Sequence, residues 1–200
     1  MRSIDDAVLL LRQGEIVGVP TDTVYGLAVD PRLAGAVSML LALKGRGSER
    51  PIGLLVASVD QASRIAALPE AAVRAARDHW PGPLTLVLSW HRPLPSRIGD
   101  HERGTVGLRV PNHPVALALL RAAGPLAVTS ANRSGLPPAG DHVEAEAVFG
   151  SEVAGYLDGT SPGGRSSTVL DFSVEPPRLL RAGPLDLSDL ANEPGRGGCV

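Results

Sequence analysis

Residues 104–132, GTVGLRVPNHPVALALLRAAGPLAVTSAN, decide the fold class. GTVGLRVP alternates as a strand does. HPVALALLRAAG has helical spacing and closes on Gly124. PLAVTSAN is an apolar strand that runs into a polar end. A strand, a helix and a second strand in succession are one unit of an α/β layer. Thr105 and Arg109 are four apart, so they lie on one face of the first strand. An arginine among Val and Leu needs an anionic partner or a route to solvent.

Upstream, Ser3 and Asp6 have the spacing of a capping box, Leu9 to Leu11 supply an apolar face, and Gly14 stops the helix. Glu15 to Val19 read as a strand ended by Pro20. TDTVYGLAVDP reads as a functional turn feeding an extended segment. A helix is expected over 32–43, a basic loop over KGRGSERP, and a buried strand over PIGLLVAS. PEAAVRAARDHW reads as a helix with Pro69 at its first position, and PGPLTLVLSW as a strand behind a breaker. Downstream come a loop, RSGLPPAG, a helix over 141–149, and three closing strands, VAGYLD, STVLDFS and PRLLRAG. Two neighbouring pairs of strands lack a helix between them, which points to a twisted mixed sheet flanked by helices. One domain is expected over 1–187 and a flexible tail over 188–200.

Composition bounds the function. The chain has 200 residues, 44% hydrophobic and 20% charged, which is a foldable globular balance. Aromatics are 3%, so the core rests on Leu, Val, Ile and Ala. A net charge of −2 excludes a globally basic nucleic-acid binder but not a local basic pocket. Cys199 is the one cysteine, which excludes a disulfide framework and a cysteine zinc site. Apolar runs fall short of the roughly 18 residues of a membrane span, and the opening segment is unlike a signal peptide, so a cytoplasmic location is expected. Phosphate-loop, dinucleotide and hydrolase-elbow motifs are missing. His79, His91, His101, His113 and His142 lack ligand spacing and read as surface or capping residues; no protein metal site is expected.

Six polar clusters remain, each at the end of an apolar segment: Pro20-Thr21-Asp22-Thr23, Lys44-Gly45-Arg46 with Arg50, Thr105 with Arg109, Ser130-Ala131-Asn132, Ser166-Ser167-Thr168, and Arg181. Each alone reads as a turn or a solvated loop. Together they would make a polar pocket suited to a polyanion such as a nucleoside triphosphate. Lys44 is the single lysine among 19 Lys and Arg residues, which suggests a place where arginine would not serve.

In this order the clusters resemble the YrdC family, whose characterised members are threonylcarbamoyl-AMP synthases. The resemblance rests on PTDTVYGLAVDP, LKGRGSERPIGLLV, WPGPLTLVL, GTVGLRVPNHPVALALL, VTSANRSGLPP, SSTVLDF and LLRAGP, across residues 15 to about 183. It implies a positively charged concave cavity. It also implies that L-threonine, bicarbonate and ATP, with Mg²⁺ carried by ATP, give threonylcarbamoyl-AMP and pyrophosphate. Downstream tRNA threonylcarbamoyl transferase proteins would place the group on adenosine 37. By the same resemblance Thr23, Arg109 and Ser167 would bind threonine. Lys44, Arg46, Arg50, Thr105, Ser130, Asn132 and Arg181 would bind ATP, with Lys44 and Arg46 as the catalytic cations. Asp22 stands where the family often has Glu, Arg50 where some members have Asn, Leu55 where some have His, and Ser166 where Glu often precedes the S-T-V piece. Loop 45–50 and the tail after Arg181 are the segments expected to cover the site. Two other readings fit the clusters: a double-stranded RNA or tRNA binder without catalysis, and a paralogue using a different carbamoyl acceptor. Steep salt dependence would mark the first.

Overall fold

Ser3 opens α1 (Ile4–Arg12) as the spacing predicts, its hydroxyl accepting from the Asp5 and Asp6 N–H groups at 3.1 and 3.4 Å. The computed structural model describes residues 3–45, 51–95 and 97–187. After α1 the chain forms β1 (Val17–Val19), β2 (Gly26–Val29), α2 (Ala34–Leu43), β3 (Leu54–Leu55), α3 (Val59–Ser63) and α4 (Glu70–His79). Then follow β4 (Leu84–Ser89), β5 (Thr105–Arg109), α5 (Pro114–Ala123), β6 (Leu126–Ser130), α6 (His142–Phe149), β7 (Gly155–Tyr156), β8 (Thr168–Asp171) and β9 (Arg178–Arg181). The strands form one sheet in the order β7-β1-β2-β6-β3-β5-β4-β8-β9. β1/β7, β3/β5 and β4/β8 run parallel and the other pairs antiparallel, so the sheet is mixed as expected.

The two faces of the sheet are covered differently. One face carries Leu27, Val29, Leu54, Leu84, Leu86, Leu88, Val106, Leu108, Ala127 and Leu170, which pack with apolar residues of α2, α4 and α6 into the larger core. The other carries Val17, Val19, Ala28 and Leu126, which pack only with α1 and α5. These two helices cover the β1-β2-β6 part of their face. Over β5, β4 and β8 none of the described helices covers that face, and a cavity opens there.

Three details depart from the sequence reading. The strand expected over PIGLLVAS shrinks to Leu54–Leu55, with Ile52 and Val56 adding single contacts to Ile98 and to the Arg109 carbonyl. Gly53 explains part of this: a Cβ there would meet the Gly107 carbonyl oxygen at 2.8 Å, so two backbones approach where a side chain would keep them apart. Pro69 is the cap before α4 rather than its first residue, because its ψ of 160° is still extended. α3 has no apolar period to announce it and is set by Ser58, whose hydroxyl accepts from the Gln61 N–H at 3.1 Å. The three closing strands form as read, β7 joining β1 at one edge of the sheet while β8 and β9 form the other.

Candidate active site

The cavity on the open face has a volume of about 550 Å³. Its floor is the outward side of the central strands: Thr105, Gly107 and Arg109 of β5, Thr85 and Val87 of β4, and Val169 of β8. Thr21, Thr23, Ser130, Ser166, Ser167 and Arg181 also line it. The structure therefore brings together Thr23, Thr105, Arg109, Ser130, Ser167 and Arg181 from five separate clusters. Gly107 keeps the floor thin, because a Cβ there would press on Thr85 Cγ2 at 3.2 Å.

Arg109 is 6% exposed, and its anionic partner is Asp22. Its Nε donates to the Gly82 carbonyl at 3.0 Å, one terminal nitrogen to Thr23 Oγ1 at 2.9 Å, and the other to Asp22 Oδ1 at 2.5 Å. A guanidinium has five N–H donors, so one remains on each terminal nitrogen. Burial pushes Arg109 below its ordinary value, while Asp22 pulls it back up. Thr21 fixes this corner: its hydroxyl donates to the Val24 carbonyl at 2.8 Å and lies 3.1 Å from Thr23 Oγ1. Asp22 Oδ2 and His113 Nδ1 are buried with no hydrogen-bond partner among the described residues. His113 stands at the N-cap of α5, a capping residue by position but without a side-chain capping bond. Burial pushes its ring below the ordinary histidine value, against the Thr160 backbone and Asp22.

The opposite wall is built on Ser167. Arg181 donates from Nε to its carbonyl and from a terminal nitrogen to its Oγ, both at 3.0 Å. Thr85 Oγ1 lies 2.7 Å from the same Oγ. The ladder between β8 and β9 shifts register at Val169/Leu170, which sets Arg181 opposite Val169.

Lys44 and Asn132 are not among the lining residues, and they support the wall from behind. Lys44 is 2% exposed. Its ammonium donates to the Ser130 carbonyl at 2.5 Å, to Asn132 Oδ1 at 2.6 Å and to the Asn132 carbonyl. Ser130 Oγ donates to the same Asn132 Oδ1 at 2.6 Å. Lys44, read from the sequence as part of a basic loop, is thus a buried residue. A glycine-bearing loop reads as solvated, yet Lys44 ends α2, whose axis directs it under β6. Arg46 and Arg50 lie outside the described residues, as does most of the covering loop 45–50. The tail over 188–200 lies outside them too.

Arg103, Asp100 and Thr85 line the cavity and escaped the sequence reading. Arg103 donates to Asp171 Oδ2 at 2.6 Å and to Ser173 Oγ at 3.0 Å. ERG before a strand looks like a solvated turn, and nothing in the local pattern points to a partner 68 residues on. Burial would push Asp171 up, but Ser173 and Arg103 outweigh it and hold the carboxyl below its ordinary range. A depressed carboxyl stabilises the fold above its unfolded value, and that contribution is lost as pH falls through the folded value. Melting temperature should therefore drop on acidification below the ordinary value of 3.8, and Asp171→Asn should flatten that limb. Thermal melts of both proteins across the acid range check this.

Among the described residues no group of three or more His, Cys, Asp or Glu is placed to hold a metal ion, and no helix is long and apolar enough to cross a membrane. Three arginines and Asp100 line the cavity, with Asp22 and Asp171 paired to two of the arginines.

A family model for Sua5/YciO/YrdC proteins, described as telomere recombination, matches residues 9–183. A Mycobacterium tuberculosis relative is 43% identical over 192 residues, covering 95% of this chain and 88% of the relative. The threonylcarbamoyl-AMP synthase of Bacillus subtilis is 38% identical over 185 residues, covering 90% of this chain and 53% of that protein. Among solved structures, Pyrococcus abyssi Sua5 complexed with L-threonine superposes with a TM-score of 0.86 at 36% identity. That alignment covers 94% of this chain and 56% of the other, so the chain spans just over half the length of these last two proteins.

Proposed function

This chain belongs to the Sua5/YciO/YrdC family, and from that premise we propose that it makes threonylcarbamoyl-AMP and pyrophosphate from L-threonine, bicarbonate and ATP. The observation that carries the reading is the cavity itself. It sets an arginine with two unassigned N–H donors beside Thr23, across from a wall of Ser167 and Arg181. Arg109 grips the threonine carboxylate through those donors, and Thr23 and Ser167 complete the amino-acid end. A guanidinium matches a carboxylate edge with two parallel bonds. Arg181, Thr105 and Ser130 face the nucleotide.

The ammonium of bound threonine gives up a proton to solvent, the neutral amine attacks bicarbonate carbon, and loss of water leaves a carbamate. A carbamate oxygen then attacks the α-phosphorus, and the bond to the β-phosphate oxygen breaks to release pyrophosphate. Asp100 is the carboxylate among the residues lining the cavity, and its Oδ1 is held by the Glu102 and Arg103 backbone N–H groups. Positioning and neutralisation of phosphate charge carry most of the acceleration. Mg²⁺ would come as an ion brought by the triphosphate: Asp22 and Asp171 are paired with Arg109 and Arg103, and Asp100, the carboxylate among the lining residues, accepts from the Glu102 and Arg103 backbone N–H groups. Lys44 acts by holding Ser130 and Asn132, and Arg46 and Arg50 belong to the ATP side on sequence grounds. The product is a reactive mixed anhydride, so an acyl-transfer system acting on tRNA adenosine 37 must take it up, and the cytoplasm is where these substrates meet.

Incubation with ATP, Mg²⁺ and bicarbonate should release pyrophosphate in a threonine-dependent way. Equal release with serine, glycine or no amino acid would overturn the reading.

A further inference from the structure

Asp22 holds a charge that its surroundings do not fully answer. Its Oδ1 accepts from Arg109, but its Oδ2 is buried with no donor. The ring that contributes to the field there, His113, has its own Nδ1 unpartnered and is kept toward the neutral form by burial. Among the described residues Arg109 is the cation paired with Asp22, and it has donors left over for a second anion. The two groups therefore present a guanidinium with spare donors beside a carboxylate oxygen that no described residue donates to. An α-amino acid carries the complement on adjacent atoms, a carboxylate and an ammonium.

We infer that Asp22 is a specificity-determining and positioning residue, which holds the Arg109 guanidinium for the substrate carboxylate and by its charge selects for the ammonium beside it. Asp22 is not among the residues lining the cavity, so it acts through Arg109 and through its field rather than by contact. Coulomb attraction is weakly screened in a buried setting, which makes such action at one remove effective. The site so built favours a zwitterion over a simple carboxylic acid. This rests on the amino-acid reading of the cavity given above.

The test compares L-threonine with 2,3-dihydroxybutanoate of matching stereochemistry, which lacks the amine. Both are titrated calorimetrically into the protein with a nonhydrolysable ATP analogue present. The native protein should bind threonine at least about tenfold more tightly. Asp22→Asn keeps an oxygen for Arg109 but loses the charge. It should hold the deaminated acid within about threefold of the native affinity while threonine's advantage collapses. Asp22→Glu should keep the advantage. Asp22→Ser, which can also accept from Arg109, replaces the Asn variant should that one fail to fold, with the same expected loss. Equal binding of the two ligands by native protein, or an undiminished advantage in the charge-removed variant, overturns the inference while leaving threonine binding intact. Failure of threonine to bind at all, with the ATP analogue still bound, overturns the amino-acid reading and this inference with it.

Discussion

Lys44→Ala should lose about 3–5 kcal/mol of stability together with its turnover. The side chain is nearly fully enclosed, and its removal leaves the Ser130 carbonyl and both oxygens of Asn132 without their shared donor. A buried long side chain cut to alanine costs about 2–5 kcal/mol from the void alone, and each orphaned acceptor adds to it. Lys44→Met separates the two contributions, because it fills the space and removes the donor. Denaturant melts should place Met between Ala and the native protein. Pyrophosphate release should be lost in both variants, since Ser130 then has no fixed position on the cavity wall. Native-like stability in the Ala variant would return Lys44 to the status of a surface ligand.

Arg109→Lys should weaken threonine binding by roughly 10- to 150-fold, or about 1.5–3 kcal/mol, while ATP binding changes far less. An ammonium has three donors on one atom. It cannot reach Gly82, Thr23 and Asp22 in their separate directions and still present two parallel bonds to a carboxylate. The variant should also melt lower than the native protein, since the arginine ties three segments of chain together. Calorimetric titration of threonine with an ATP analogue present measures the first effect, and titration of the analogue alone measures the second. Threonine binding at native affinity would show that the carboxylate is held elsewhere.

Much of this site is legible in the sequence because strands write their faces in alternation. Thr105 and Arg109 had to share a side of β5, and the cavity takes both. The helices that bound the layers were equally plain, through Ser3 and Gly124. What alternation does not carry is which strands become neighbours. The pairing of Arg109 with Asp22 spans 87 residues, and that of Arg103 with Asp171 spans 68. Neither carboxylate looks different from a turn residue until the sheet order is known. Lys44 was misread for a related reason. Loop composition reports solvent preference on average, whereas the end of α2 carries this one ammonium under the carbonyls at the end of β6.

The uncovered half of the sheet has a consequence for how residues can be exchanged. Along β4, β5 and the start of β8 the even-numbered positions, Leu84, Leu86, Leu88, Val106, Leu108, Thr168 and Leu170, are buried. The odd-numbered ones, Thr85, Val87, Thr105, Gly107, Arg109, Ser167 and Val169, line the cavity. Pairing preserves this parity, since Leu86 faces Leu108 and Leu84 faces Thr168. Stability and chemistry are thus written on alternate letters of the same words. Each set can vary under its own constraint, the even set by volume and the odd set by ligand. A slip of one residue in any of these strands would exchange the two sets at once, putting Arg109 in the core and leucines in the cavity. Register, more than any single side chain, is what the two sets hold in common.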